Sequence, residues 1–251
     1  MSVVPVNEVP SEGFVDLHSH YIPGVDDGVK TLEEGIALCE GLRQAGFSMV
    51  VATPHIRSVM FPNERDGLEK AHAEFRAATA ERSGMPVLDL GAEHFFDDVV
   101  FGLFRDGRSL PYPGGHAALV ELPPEAIPRG LERCFFDMKV RGMQPVLAHP
   151  ERYRPLFKST DALDPLVDAG ALPLLDIMSL VGRYGRRPKG AAERMLKEDV
   201  YYAACSDAHR PSDVALVHKA IKRLRDLAGE ERTQELLAEN PRKILNGTAQ
   251  Y

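Results

Sequence analysis

Two histidines one residue apart, His18 and His20, close the apolar run in FVDLHSHYIPGVDDG, and two adjacent aspartates, Asp26 and Asp27, follow beyond a Pro-Gly turn. Four such side chains at the end of one strand bring no folding benefit of their own, whereas imidazoles and carboxylates together are ligands for a divalent cation. The other candidates fall in the same kind of place. His55 follows SMVVATP, Glu93 follows PVLDLGA, Glu121 closes AALVE, His149 closes QPVLAH, and Asp207 and His209 lie in SDAH just after VYYAAC. Asp176 and Ser179 end the LPLLDI run in the same way.

A lone histidine beside a strand is usually a satisfied structural residue. Five of nine histidines at such positions, beside four acids, form a pattern that folding alone does not require. His72, His94, His116 and His218 lack this placement and are read as structural, with His72 on a helix surface. The donor set holds no thiolate, which favours Mn, Fe or Zn over a soft-metal site. It also exceeds the three or four protein ligands of a single catalytic ion, so more than one metal is implied.

Convergence of residues spread over nearly the whole chain demands a particular scaffold. The runs FVDL, SMVVAT, PVLDLG, AALVEL, QPVLAH, LPLLDI and VYYAAC alternate with helical segments such as TLEEGIALCEGLRQAG. Strands apolar throughout and spaced by helices predict parallel strands buried on both faces. Seven such repeats predict a barrel, whose C-terminal strand ends carry the active site. Thr31 and Glu34 form a capping-box pattern, and Gly46 closes that helix. A helical final third with an apolar stripe at Val214, Val217, Ile221, Leu224 and Leu227 predicts a C-terminal cap. The organisation expected is an extension over residues 1–13 and one domain over 14–251.

The chain has 251 residues, a net charge of -7 and 44% hydrophobic residues. The acidic balance argues against a nucleic-acid partner, Arg183, Arg186, Arg187 and Lys189 being the local exception. No signal-like start or membrane-length apolar run is present, so a cytoplasmic protein without membrane insertion is expected. Cys39, Cys134 and Cys205 form no CxxC pair and are read as reduced thiols. None is followed by Arg at the sixth position, which removes the Cys-x5-Arg chemistry of thiolate phosphatases.

HxH, a mid-chain Glu, His-Pro and DxH, here His18/His20, Glu93, His149 and Asp207/His209, resemble the PHP (polymerase and histidinol phosphatase) superfamily. DLHSHYIPGVDDG, ATPH, GAE, AHPERY, SLVGRYG, SDAH and ENPRKILNG resemble, in order and over roughly residues 14 to 247, the CpsB/CapC-type (YwqE-type) bacterial tyrosine-protein phosphatases. The resemblance implies an α/β fold, a distorted (β/α)7 barrel holding three divalent ions, Mn2+ foremost with Fe or Zn as alternates. One ion would take His18, His20, Glu93 and Asp207, a second Glu93, Glu121 and His149, a third Asp27, His55 and His209. It implies a phosphoric monoester hydrolase acting on phosphotyrosine through a metal-activated water, its partner a bacterial tyrosine autokinase of exopolysaccharide or capsule synthesis. Self-association is left open. Asp207 and His209 would be catalytic; Arg152 would be both catalytic and a phosphoryl ligand, its alternative being a surface ion pair with Glu151. Arg183 and Arg210 are the further substrate-binding candidates, Arg210 standing near where family members carry a second arginine, and Asp176 stands where they commonly carry Asn. Two rival readings keep the metal site: a histidinol phosphatase or other small phosphomonoesterase, and a non-catalytic module that binds a kinase.

Overall fold

The structure, a computed structural model, describes residues 8–250. The first seven residues of the expected extension, and Tyr251, lie outside the described residues. The elements are β1 (Phe14–Ser19), α1 (Leu32–Gln44), β2 (Phe47–Ala52), β3 (His55–Ile56), α2 (Arg65–Thr79), β4 (Val87–Leu90), β5 (Glu93–Phe95), α3 (Asp98–Arg105), β6 (Ala117–Glu121), α4 (Leu131–Val140), β7 (Gln144–Ala148), α5 (Asp164–Asp168), β8 (Leu172–Asp176), α6 (Arg186–Lys197), β9 (Ala203–Cys205), α7 (Val214–Gln234) and α8 (Asn240–Leu245).

All named strand pairs are parallel, in two sheets ordered β1-β2-β4 and β3-β5-β6-β7-β8-β9. Each of the seven expected runs forms a strand. β3 and β5 are additional: after Thr53-Pro54 and Gly91-Ala92 the chain leaves one sheet and continues in the other. Proline lacks the N–H that a ladder needs, so Pro54 suits the break. At the far side a parallel bridge joins Ser19 to Ala208, with His20 N donating to Ala208 O and Asp207 N to His18 O, both at 2.9 Å.

Alternation along the strands explains the apolar runs. Val15, Leu17, Met49, Val51, Leu119 and Val146 face an inner cluster. Val50, Ala52, Ala118, Val120, Leu147 and Leu175 face an outer one under the helices. Both faces are buried, so both are mostly apolar, and each fully buried Val or Leu contributes about 1.5–3 kcal/mol.

The capping box of α1 forms as expected, Thr31 Oγ1 accepting from Glu34 N and Glu34 accepting from Thr31 N. In α7, Val217, Ile221 and Leu224 are buried, but Leu227 is 41% exposed. The expected stripe ends before Leu227, because Gly229 (φ 82°) kinks the helix. Beyond it, α8 inserts Ile244 and Leu245 into the inner cluster. From the same helix Asn240 donates to Tyr202 O, and Arg242 to Pro10 O and Gly13 O, at the N-terminal ends of β9 and β1. That end is closed, which leaves the opposite end of the strands for the polar cluster. Among the described residues no helix is long and apolar enough to cross a membrane.

A candidate metal centre at the strand ends

His18 and His20 are two apart on β1 and its continuation, so both project to the same side. The Pro23-Gly24 turn, with Gly24 at φ 74°, then brings Asp26 and Asp27 back. Gly28 has no room for a Cβ, which would collide with the His20 backbone. The turn is thereby held against the strand end it serves.

Glu93, on β5, is the hub. Its Oε2 lies 3.2 Å from His18 Nε2, 3.8 Å from His20 Nε2 and 2.9 Å from His55 Nδ1, and its Oε1 lies 3.0 Å from His149 Nε2. Asp207 Oδ1 lies 3.2 Å from His18 Nε2, 3.4 Å from His20 Nε2 and 3.6 Å from His209 Nδ1. Asp27 Oδ1 lies 3.4 Å from His55 Nε2 and 3.5 Å from His209 Nε2, and Glu121 Oε2 lies 3.8 Å from His55 Nδ1. All nine expected ligands therefore meet. Their donor atoms form four overlapping groups that could hold a metal ion: His20, Asp27, His55 and His209; His18, Glu93 and His149; His18, His20 and Asp207; and His55, Glu93 and Glu121. The groups overlap the three expected sets but divide differently, because Glu93 touches four imidazoles at once.

The residues fit metal ions on a structural ground. Of nine buried side-chain N and O atoms without a hydrogen-bond partner among the described residues, seven belong to this cluster: both ring nitrogens of His18, His20 Nε2, His55 Nδ1, His149 Nδ1, Glu121 Oε2 and Asp207 Oδ1. Buried polar atoms are rarely left so. Backbone strain points the same way. Among the described residues His149 (φ 34°) and Asp207 (φ 49°) are two of the three non-glycine residues with left-handed φ, a conformation that persists only where the surroundings enforce it.

The protonation equilibria describe a crowd of mutually compensating charges. Burial opposes charge on His20, yet Asp26 and Asp207 raise it to about 9. Burial likewise opposes His55, which Glu93 and Asp27 push up to about 12. Despite burial, the surrounding imidazoles, joined at Asp207 by the Arg152 charge, hold Glu93 and Asp207 well below the usual carboxylate range. Glu121 goes the other way, to about 7, through burial and then the charge of Glu93. Here imidazolium protons neutralise carboxylates; since a ligating imidazole must be neutral, metal binding would release those protons.

Sequence reasoning left several supports unassigned. Asp26 accepts from His20 Nδ1 (2.7 Å), Gly28 N (2.9 Å) and His55 N (3.2 Å). Asp176 receives Arg152 Nη2 at 2.5 Å and Met178 N at 2.8 Å. Arg152 also donates to Asp207 and to Tyr184 Oη, with its guanidinium 3.9 Å from the Tyr184 ring centre. Glu151 is not the surface partner of Arg152: it is fully buried, accepting from Asp176 N, Ser179 Oγ and Tyr201 Oη, and burial, then Asp176, raise it to about 8. Asp213 accepts from the backbone of His209 and Arg210 and from the Arg183 side chain, so it ties both candidate arginines to the DxH segment. Its signal was positional, an Asp just before a helix.

His72 is a correction. It is buried rather than on a helix surface, because α2 turns it inward to Tyr21 Oη, 3.1 Å from His72 Nε2. His94 is buried too, its ring between Leu119 O and Leu110 N. Neither joins the cluster. A cavity of about 1300 Å³ lies among α2, α3 and α4, lined by His72, Phe101, Phe104 and Met138, and contains none of the nine candidate ligands.

Parallel strands ending in a cluster of imidazole and carboxylate donors that could hold metal define the class as an α/β protein with a candidate metal centre. The chain belongs to the CpsB/CapC family, described as capsular polysaccharide synthesis, whose profile matches residues 14–246. It is 28% identical over 196 residues to the tyrosine-protein phosphatase YwqE of Bacillus subtilis (strain 168), covering 78% of this chain and 77% of the relative. It is 27% identical over 240 residues to the tyrosine-protein phosphatase CpsB of Streptococcus agalactiae, covering 92% and 98%. A crystal structure from a study of YwqE of Bacillus subtilis and CpsB of Streptococcus pneumoniae, described as unique metal-dependent tyrosine phosphatases, superposes with a TM-score of 0.86 at 26% identity, covering 94% of this chain and 96% of that one. A prolidase with 10% identity and a TM-score of 0.58 shares the fold alone.

Proposed function

We propose that the chain is a metal-dependent protein-tyrosine phosphatase whose nine clustered ligands, His18, His20, Asp27, His55, Glu93, Glu121, His149, Asp207 and His209, hold three divalent ions, Mn2+ with Fe or Zn as alternates. The observation that carries this is that six of those nine residues, His18, His20, His55, Glu121, His149 and Asp207, hold buried polar atoms without a hydrogen-bond partner, inside groups that could hold a metal ion. The family and the relatives' names supply the substrate class: a phosphotyrosine protein, by their capsule-synthesis context a bacterial tyrosine autokinase. The two sheets read as one distorted (β/α)7 barrel over residues 14–251. Its support is the Ser19–Ala208 bridge between the first and last segments. A cytoplasmic setting is supported by three free cysteines.

Bound divalent ions supply Lewis acidity for the phosphoryl oxygens and lower the pKa of water toward 7. The protein's own groups do the rest. Arg152, its side chain 21% exposed, reaches the cluster through Asp207 and offers guanidinium donors to the phosphoryl oxygens. Asp176 and the Tyr184 ring fix its orientation. His209 Nδ1 donates to Asp207 O at 2.9 Å, leaving Nε2 to face Asp27 on the solvent side of the cluster. Arg183 and Arg210, anchored together through Asp213, take acidic residues flanking the phosphotyrosine. The test is removal and return of metal: activity on a phosphotyrosine peptide should vanish on chelation and return with Mn2+. Full activity with metal content verified as nil would end the reading.

A further inference from the structure

Directly after the candidate ligand His55 the chain makes a tight hairpin over residues 57–61, closed by Arg57 N to Phe61 O (2.9 Å) and Phe61 N to Arg57 O (3.0 Å). Its tip carries Val59, 88% exposed and the most exposed large apolar side chain among the described residues, and Met60, 58% exposed. Its base is fixed. The Phe61 ring stacks on His55 (centroids 5.3 Å, 11°), the Arg57 guanidinium lies 3.9 Å over the Phe95 ring, Ser58 Oγ donates to Asp97 at 2.6 Å, and Asn63 Nδ2 donates to His55 O at 2.8 Å.

Single exposed apolar residues are ordinary. Two in succession differ when they sit on a turn held by ring, charge and hydrogen-bond contacts, because that turn could present polar side chains equally well. Their position is also particular: one stacked ring separates them from a candidate ligand. A phosphate seated on the cluster must project its organic group toward solvent, and His55, its side chain 12% exposed, is one of the rim residues there and carries the stacked Phe61 ring.

We infer that Val59 and Met60 form an apolar lip that packs against the aromatic ring of an aryl phosphate bound at the cluster, making the hairpin a specificity element for phosphotyrosine over alkyl phosphates. This deepens the proposed function and rests on it. The substrate-binding candidates Arg152, Arg183 and Arg210 offer charge, so the lip supplies apolar contact that they do not. Phe61 transmits the hairpin's position to His55, which keeps lip and phosphate site in register.

The test measures binding by calorimetry of phenylphosphonate and methylphosphonate to the Mn2+-loaded protein, beside turnover of a phosphotyrosine peptide. Wild type should favour phenylphosphonate, and the phenyl-to-methyl affinity ratio should fall about fivefold to tenfold in the Val59→Ser/Met60→Ser variant, by loss of apolar burial. Val140→Ser, equally apolar and 69% exposed on α4, should leave the ratio as it is. An unchanged ratio in the double variant, or a wild type that shows no aryl preference, would overturn the lip. Absence of phosphotyrosine turnover in a wild type that retains the ratio would instead defeat the proposed function and leave the lip as an aryl-phosphate subsite.

Discussion

His20 Nδ1 lies 2.7 Å from Asp26 Oδ2, and this bond leaves His20 Nε2 as the ring nitrogen that faces Asp207 and Glu93. A carboxylate behind an imidazole fixes its tautomer and raises its basicity, and losing it costs about 10- to 100-fold in metal affinity in comparable sites. Asp26→Ala should therefore weaken Mn2+ binding by about that factor, read by metal titration of the chelated protein, with activity returning at higher Mn2+. Unchanged affinity would mean that Asp26 serves only the turn.

Arg152 and the ligands should separate in the same assay. Arg152→Ala should lower kcat by about 10²–10³ at unchanged metal content, since its role is to meet charge that develops on the phosphoryl oxygens. Arg152→Lys should recover little, because an ammonium lacks the planar fork. His149→Ala or Asp207→Ala should lose metal as well as turnover. Metal loss in Arg152→Ala would reassign that arginine to holding Asp207.

Glu121 should show opposite effects with and without metal. Burial and the neighbouring Glu93 charge raise it to about 7, so its ionisation above that pH opposes folding of the metal-free protein. Glu121→Gln should keep or raise Tm in chelator at pH 8, yet gain less than wild type on addition of Mn2+. A loss of Tm in both conditions would contradict the repulsion argument.

His72 gives a pH dependence of stability remote from the cluster. Burial, then the Arg76 charge, lowers it to about 4. The unfolded chain takes up the proton near 6.5 and the folded one only near 4, so stability falls as pH drops through that window, by about 3 kcal/mol for this group. His72→Gln should flatten the fall in Tm between pH 6.5 and 4 while leaving metal content unchanged.

What was legible in the sequence was whatever local pattern dictates. Strands buried on both faces are mostly apolar, so β1, β2, β4 and β6 to β9 could be read directly, and every candidate ligand stood at or soon after the end of one. β3 and β5 escaped because two or three residues carry no periodicity; they exist through pairing within the six-stranded sheet, His55 with Glu93 and Phe95 with Glu121. His72 was misplaced because its helix face is decided by Tyr21, 51 positions away. Asp26, Asp176 and Asp213 were visible as acids, but their partners lie on other elements, and only the fold brings Arg152 to Asp176 or His55 N to Asp26.

The central claim, phosphotyrosine hydrolysis at this cluster, is tested most directly by kcat/KM of the Mn2+-loaded protein on matched phosphotyrosine and phosphoserine peptides and on histidinol phosphate. A phenolate, with a conjugate-acid pKa of about 10, departs far more readily than a serine alkoxide. On the proposed assignment the cluster carboxylates would be engaged as ligands, and Glu151 is buried with its oxygens accepting from Asp176 N, Ser179 Oγ and Tyr201 Oη, so no strong proton donor would stand ready for a poor leaving group. The account predicts that the phosphotyrosine peptide is hydrolysed much faster than either alternative. Equal rates on the two peptides, or a preference for histidinol phosphate, would contradict it.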